Sequence, residues 1–307
     1  MLGFLTRRII YSIFTMILAS ILVFALSRMS GDPRLLFLTP YFHNSEEQWE
    51  RWGVMLGLDK PYYMQYLIWL GKCLTGDWGQ SIDTKLPVMD MITHRLPVTL
   101  KLTLGGFIFS FLVGIPLGVI SGVYRGSLWD YIGRTIAVLG QSVPAFWLAI
   151  VLILIFAVRL GWLPAAGQGG FSYYVMPSIV LGWFGTAGFL RLTRSAMLDV
   201  MDSEYIKLAR AKGVSKQTVI WKHAFRNAVI APLTYGGLLL AGFATGTVLT
   251  ETIFAWPGLG RMALQAVLAN DFPVLQGSVI FFALFYVILA FILDMTYALI
   301  DPRIRYS

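Results

Sequence analysis

Charged side chains are scarce in this chain of 307 residues, because only 13% are Asp, Glu, Lys or Arg. A soluble domain carries about 25% charged residues. Hydrophobic residues make up 57% of the chain, and its mean hydropathy is +0.70. This composition excludes an ordinary soluble domain and indicates a protein that crosses a membrane several times.

Cysteine and histidine are also rare. Cys73 is alone, so the chain cannot form an internal disulfide or a thiolate metal cluster. The three histidines, at 43, 94 and 223, are widely scattered and suggest no metal site. The net charge of +8 could suggest nucleic acid in a soluble protein, but membrane topology explains most of it here. We predict no cofactor or metal in this chain and no nucleic-acid partner.

The chain lacks the motifs of an ATPase or a hydrolase. Gly71-Lys72-Cys73 has neither the upstream glycine nor the hydroxyl residue of a phosphate-binding loop. No nucleophile, histidine and acid can be nominated as a catalytic set. We therefore predict that this chain is not an enzyme and does not itself hydrolyse ATP.

Long apolar runs dominate the sequence, and about 20 such residues suffice to cross a bilayer. The first run, after Arg7-Arg8, is longer than the core of a signal peptide and ends without a convincing cleavage site. We therefore interpret it as a retained helix. Pro144 is expected to kink the third run. The sequence predicts an all-α membrane protein with six transmembrane helices, at about 9–26, 100–123, 131–158, 175–192, 230–250 and 274–299.

The segment 30–95 differs from the rest because its positive and negative charges nearly cancel and it is rich in aromatic residues. Such residues can build a small core, so we predict an ordered extracytoplasmic subdomain between the first two helices. The predicted division is 1–29 (N-terminal end and first helix), 30–95 (subdomain), 96–300 (transmembrane core) and 301–307 (C-terminus).

The positive charges indicate the orientation of the chain. Arg7, Arg8, Arg125, the basic residues between the fourth and fifth helices, and Arg303 and Arg305 all fall on one side. The loops at 159–174 and 251–273 carry only Arg159 and Arg261. The positive-inside rule then predicts that both termini lie in the cytoplasm.

A polar, basic segment, 203–232, interrupts the apolar runs. It has the signals of two short helices: Ser203 and Ser215 can each cap a helix, and Gly213 can adopt the left-handed conformation between them. Pro232 is expected to break or kink the chain near the next apolar run. The segment is either a solvated linker whose charges set the topology or a docking element for another protein.

A second distinctive loop, 251–273, contains Trp256-Pro257-Gly258, which marks a turn. Apolar segments on both sides of this turn suggest a re-entrant or interfacial element.

The basic segment resembles the coupling loop of ABC importer permeases. The similarity is highest to the dipeptide, oligopeptide and nickel permeases, although Ala209-Arg210-Ala211 replaces the usual Glu-Ala-Ala triplet of other importers. The residues that carry the resemblance are Glu204-Tyr205-Ile206, Ala209 to Gly213, His223, Arg226-Asn227-Ala228 and Pro232. Further spaced similarities are Leu56 to Pro61, Gly76-Asp77-Trp78-Gly79, Arg95 to Leu100, the Trp256 loop and Asp301-Pro302-Arg303.

This resemblance implies the type I ABC importer permease fold and the role of the first, B-type permease of a pair, in a bacterial or archaeal cytoplasmic membrane. The implied partners are a second homologous permease, two ABC ATPase subunits that bind ATP and Mg, an extracytoplasmic binding protein and membrane lipid. Alternating access would then move the substrate. The implied coupling residues, within a loop at 199–229, are Glu204, Tyr205, Ile206, Ala209, Arg210, Ala211, Lys212 and Gly213. Those implied near the mouth of the path are Trp256, Pro257, Gly258, Gly260 and Arg261.

Two other classes of function are open from the residues alone. An ion-driven secondary carrier would be favoured by inverted repeats and intramembrane ionisable groups, but we find no repeat, and Asp294 is the clearest such group. A membrane-embedded enzyme would need clustered polar catalytic groups in the spans, and the sequence of the spans lacks them. The substrate is also open among dipeptides, oligopeptides, glutathione, nickel chelates and oligosaccharides.

Overall fold

The computed structural model describes residues 2–29, 34, 46–55 and 57–300, and most of these are helical. His43 and the predicted C-terminus, 301–307, lie outside the described residues. The chain forms two compact units. The first comprises Met1–Pro97 and Gly258–Phe291, and the second comprises Val98–Pro257 and Ile292–Ser307.

The described helices follow one another along the chain in this order. They are α1 (Leu2–Met29), α2 (Glu46–Met55), α3 (Tyr62–Leu74), α4 (Val88–Val123), α5 (Leu128–Ser142), α6 (Ala145–Leu152), α7 (Phe171–Met201), α8 (Glu204–Ala211), α9 (Lys216–Thr218), α10 (Arg226–Ala228), α11 (Ile230–Gly246), α12 (Val248–Ile253), α13 (Leu259–Leu268) and α14 (Phe272–Ile300). A π-helical segment follows α6 (Ile153–Arg159), and another follows α9 (Val219–Phe225).

Four of the described helices, α1, α4, α7 and α14, are long and apolar enough to cross a membrane. The helices α5 and α6 with its π-helical continuation form a bent pair that adds a fifth span if it is counted as one. The apolar part of α11 is shorter than these spans. The prediction of an all-α membrane protein is confirmed, whereas the count of six spans stays a prediction.

The third predicted span is broken rather than merely kinked. The axes of its two halves differ by 108°. Val143 adopts an extended conformation (φ −80°, ψ 119°), which is the conformation that a following proline favours. Pro144 then starts the second half, where its missing N–H costs no helical hydrogen bond.

Helix α4 begins at Val88, well before the predicted start at Leu100. Its first turns lie outside the long apolar run, and packing within the first unit stabilises them. Val88 and Ile92 are fully buried in a cluster with Leu259 and Val274. Tertiary burial therefore extends this helix beyond what hydropathy indicates.

Glycines every four residues on α4 allow α7 to approach its backbone within the second unit. A Cβ atom added to any of the three would lie within 3 Å of a Cβ on α7, which is closer than real side chains approach. The prediction that glycines mark helix contacts is confirmed here, since small residues let membrane helices pack closely. The facing pairs are Gly114 with Phe189 (2.6 Å), Gly118 with Thr193 (2.6 Å) and Gly122 with Met197 (2.8 Å).

Candidate functional site

Helix α8 packs on the rest of the second unit mainly through Ile206. Ile206 is fully buried and belongs to a hydrophobic cluster with Val219 and Ala224 of the following π-helical segment. Met197, near the end of α7, is part of the same cluster. The helix is therefore held firmly on the body of its unit.

The opposite face of α8 is open and partly apolar. Leu208 is 55% exposed and Tyr205 is 45% exposed. On the same helix, Lys207 Nζ lies 2.7 Å from Glu204 Oε1, and both side chains are exposed. Ala209 is half-buried and packs against the core cluster, so it lies at the inner edge of this face. The exposed surface therefore combines an apolar centre with charged neighbours.

The connection from α8 to α9 contains the expected left-handed glycine. Gly213 has φ +76°, and no atom lies within 4 Å of the position that a Cβ would take. Ser215 caps the next helix, since its Oγ accepts a hydrogen bond from the Thr218 amide at 3.3 Å. Ala211 and Lys212 lie beside the glycine and are exposed.

The expected cap at Ser203 is wrong. Its hydroxyl donates to the Val200 carbonyl at 2.5 Å and makes no side-chain cap to α8. Helix α7 ends at Met201, two residues before this serine, so the hydroxyl satisfies a terminal carbonyl of α7 instead.

Three contacts hold the basic segment in place. Asn227 Nδ2 donates to the Tyr205 hydroxyl at 3.0 Å and to the His223 carbonyl at 2.9 Å. Lys216 Nζ lies 4.6 Å from the centre of the Tyr124 ring, just after α4. The segment is thus tied both to itself and to the end of a membrane helix.

A buried ionic cluster near the basic segment was not predicted from the sequence. The Asp130 carboxylate is 2% exposed and lies 2.7 Å from Arg194 Nε. It also accepts hydrogen bonds from Ser121 Oγ at 2.7 Å and from the Gly126 amide at 2.9 Å. An aspartate at the start of an apolar span is itself a signal that could have suggested a buried partner.

The Trp256 turn packs into the second unit. Trp256 is fully buried, and its ring lies 4.7 Å from that of Tyr174 in an edge-on arrangement. Its Nε1 donates to the Val98 carbonyl at 3.3 Å. Nearby, the fully buried Glu251 accepts a hydrogen bond from Thr99 Oγ1 at 2.6 Å. The predicted turn is present, and Pro257 beside Trp256 is half-buried.

The remaining residues of this loop start α13 in the first unit. Gly258 and Gly260 are buried, and the Gly258 carbonyl accepts a hydrogen bond from the Met262 amide at 3.2 Å. Arg261 is half-buried. The loop is therefore an ordered helical turn, as the Trp-Pro-Gly signal indicates.

Within residues 2–29, 34, 46–55 and 57–300, no three His, Cys, Asp or Glu side chains gather as they would around a metal ion.

Family models account for nearly the whole chain. Residues 114–306 match the model described as binding-protein-dependent transport system inner membrane component. Residues 1–103 match the N-terminal model of the same kind of membrane component. The chain belongs to this family. It is therefore a multi-pass inner-membrane permease component of an import system.

Relatives of the same length carry transport names. A Brucella abortus (strain 2308) protein named for a peptide transport system permease is 40% identical over 316 residues, covering 100% of both chains. The glutathione transport system permease protein GsiC of Escherichia coli (strain K12) is 38% identical over 308 residues, again covering 100% of both.

Solved structures agree on the fold. The inward-facing methionine ABC transporter MetNI is similar with a TM-score of 0.58 and 19% identity, covering 69% of this chain and 97% of that one. An amino acid ABC transporter with histidines gives a TM-score of 0.54 and 14% identity, covering 68% and 93%. The chain has the type I ABC importer permease fold and is a permease subunit of an ATP-driven importer.

Proposed function

We propose that this chain is the first, B-type permease subunit of an ABC importer for peptides or closely related small solutes. Its partner would be a second, homologous but different permease, and together they would enclose the substrate path. An extracytoplasmic binding protein would deliver the substrate. Relatives named for peptide and glutathione transport, at 40% and 38% identity over the full length, support this substrate class.

The observation that carries the proposal is the exposed face of α8. Ile206 fixes the helix to the body of the second unit, while Leu208 and Tyr205 leave apolar surface open to a partner. A rigidly held helix with an exposed apolar centre suits a groove on another protein, because little ordering entropy is lost on docking. We assign this partner as an ABC ATPase subunit, with Glu204 to Gly213 as the docking residues.

Energy enters through the partner subunits in this proposal. The permease holds no cofactor, and two ATPase subunits bind and hydrolyse ATP with Mg. A docked ATPase dimer that closes on ATP would pull α8, and α7 would move with it through the Ile206–Met197 cluster. The equilibrium between inward- and outward-facing permease then shifts by the difference in ATPase affinity for the two states.

The proposed orientation places both termini and α8 in the cytoplasm, as the positive-inside rule indicates. The Trp256 loop then lies on the extracytoplasmic side, near the mouth of the path. Since Trp256, Gly258 and Gly260 are buried, we assign them to supporting this loop. The half-buried Pro257 and Arg261 are better placed to meet a substrate or a binding protein.

The test introduces a carboxylate at the centre of the exposed face. In Leu208→Glu, the new carboxylate would have to lose its water in the partner's apolar groove, so ATPase docking should weaken at least tenfold. Gln217→Glu adds the same charge at an exposed position after Gly213 and serves as the matched control. The measurements are co-purification of the ATPase subunits, and ATP hydrolysis stimulated by binding protein and a panel of di- to hexapeptides in proteoliposomes.

The results test docking at α8 and the substrate class separately. Loss of co-purification and stimulation in Leu208→Glu, but not in Gln217→Glu, supports docking at α8. Full co-purification and stimulation in both variants contradicts it. Stimulation of the unmodified complex by sugars or a nickel chelate but not by peptides would keep the coupling site and contradict the substrate class.

A further inference from the structure

Helices α1 and α3 of the first unit enclose a groove of about 520 Å³. Its walls are mostly apolar and aromatic, and one cation lies among them. The lining residues include Phe24, Ala25 and Arg28 of α1, and Tyr62, Tyr63 and Tyr66 of α3. Such a groove suits a ligand with a long apolar part and an anionic head.

The groove lies alongside α1 rather than beyond its end. The Tyr66 hydroxyl is 2.8 Å from Ser20 Oγ, and the Phe24 ring is 5.6 Å from the rings of Tyr66 and Trp69. Ser20 precedes Met29, the last residue of α1, by about 14 Å along the helix axis. Half of a bilayer's hydrocarbon core is about 15 Å thick. Because α1 is a candidate membrane span, α3 lies at the depth of the leaflet that contains the end of α1.

The outer surface of α3 is apolar, unlike that of a helix in water. Leu67 is 56% exposed, Leu74 is 79% exposed and Ile68 is 37% exposed. Lys72 is the one charged residue in the α3 sequence. The neighbouring helix α1 is also largely exposed, since only 17% of its most apolar stretch is buried. Contact between such an apolar surface and lipid costs no free energy, whereas exposing the same surface to water does.

We propose that α3 is embedded in the leaflet at the carboxyl-terminal end of α1, and that the groove between the two helices binds a phospholipid. An acyl chain would lie against Phe24 and Ala25, and the phosphate would contact Arg28. Arginine suits a phosphate because its planar guanidinium presents several donors. The tyrosines of α3 suit the headgroup region, where aromatic rings with a polar tip concentrate. This assignment places α3 in the membrane, although the sequence predicts it as part of the extracytoplasmic subdomain 30–95.

The first experiment measures the depth of α3. In a Cys73→Ala background, which removes the lone cysteine, a nitroxide is attached at Leu67→Cys or at Glu50→Cys on the charged helix α2. The complex is placed in nanodiscs of phosphatidylethanolamine and phosphatidylglycerol. We expect the label at position 67 to be several-fold more accessible to oxygen than to a water-soluble nickel chelate, and the label at position 50 to show the reverse.

Two outcomes would overturn the depth assignment. A label at position 67 that meets the nickel chelate as readily as the label at position 50 places α3 in water. A label shielded from both relaxants places another subunit over α3 in place of lipid.

The second experiment tests the phosphate contact by native mass spectrometry of the transporter complex released from the same nanodiscs. Arg28→Gln keeps a polar side chain that can donate hydrogen bonds but removes its charge, so retention of one phospholipid should weaken about tenfold. Arg51→Gln removes an exposed arginine of α2 and should retain the lipid as the unmodified complex does. No retained lipid in the unmodified complex, or equal retention in both variants, would contradict the site.

Discussion

Arg194 and Asp130 form a two-bond ion pair in which Nε donates to Oδ1 at 2.7 Å and Nη2 donates to Oδ2 at 3.1 Å. The same carboxylate accepts from Ser121 on α4 and from the Gly126 amide in the turn after α4. One carboxylate therefore joins α4, its following turn, α5 and α7. This ion pair lies near the carboxyl-terminal ends of α4 and α7, and the basic segment follows α7 in the chain.

Asp130→Asn should lower the free energy of unfolding of the second unit by about 2–4 kcal/mol, because it leaves the largely buried guanidinium of Arg194 without its counter-charge. Arg134→Gln is the matched control. Its Nε lies 3.8 Å from the same carboxylate and its side chain is 48% exposed, so its effect should stay below about 0.5 kcal/mol. Thermal unfolding of the purified complex measures both. Equal melting temperatures for the two variants would show that the ion pair contributes little.

The contact between α4 and α7 leads to a prediction about Gly118. A Cβ there would lie 2.6 Å from Thr193 Cβ and 2.8 Å from the Leu190 carbonyl oxygen. Gly118→Ala should therefore destabilise the protein by about 1–3 kcal/mol, since neither backbone nor β-branched side chain can yield cheaply. Gly71→Ala on α3 is the control, because a Cβ at this position would meet no neighbouring side chain within 4 Å. This variant should be neutral or slightly stabilising. Melting temperatures that fall equally for both would contradict the packing.

Position 213 favours glycine because of its backbone conformation and not because neighbouring side chains crowd it. Gly213→Ala should cost about 1 kcal/mol, because φ +76° is unfavourable for a residue with a Cβ. Gly213→Asn should cost less, since asparagine tolerates the left-handed region best among residues with a side chain. The melting temperatures of the two variants report backbone strain at position 213. Co-purification of the ATPase reports a clash between the new side chain and a partner. A larger loss for asparagine than for alanine would indicate that a partner approaches this position closely.

Cys73 should be a slow nucleophile in the folded protein. Its side chain is buried, with only 9% of the residue exposed, so a maleimide reaches the thiol only rarely in the native fold. Maleimide labelling at pH 8 should be slow in the native complex and fast after denaturation in SDS. Labelling at the same rate in both conditions would contradict this environment.

The basic segment shows where local signals were sufficient. The left-handed turn at Gly213 and the cap at Ser215 depend on neighbouring residues, and both were predictable. Ser203 has the same residue type as Ser215, yet its hydroxyl bonds to Val200, because α7 ends only two residues before it. Which of two adjacent helix ends a serine satisfies depends on where the preceding helix stops, and hydropathy does not define that point.

The membrane class, the helical architecture and the family resemblance follow from the sequence alone, because long apolar runs and spaced motifs are local in the chain. Only the tertiary structure decided the partners of buried groups: Asp130 with Arg194, Thr99 with Glu251, and the glycines of α4 with α7. It also decided that α3 lies against α1, with Tyr66 at Ser20. These contacts join residues far apart in the chain, and their pairing depends on how the helices pack, which no local pattern encodes.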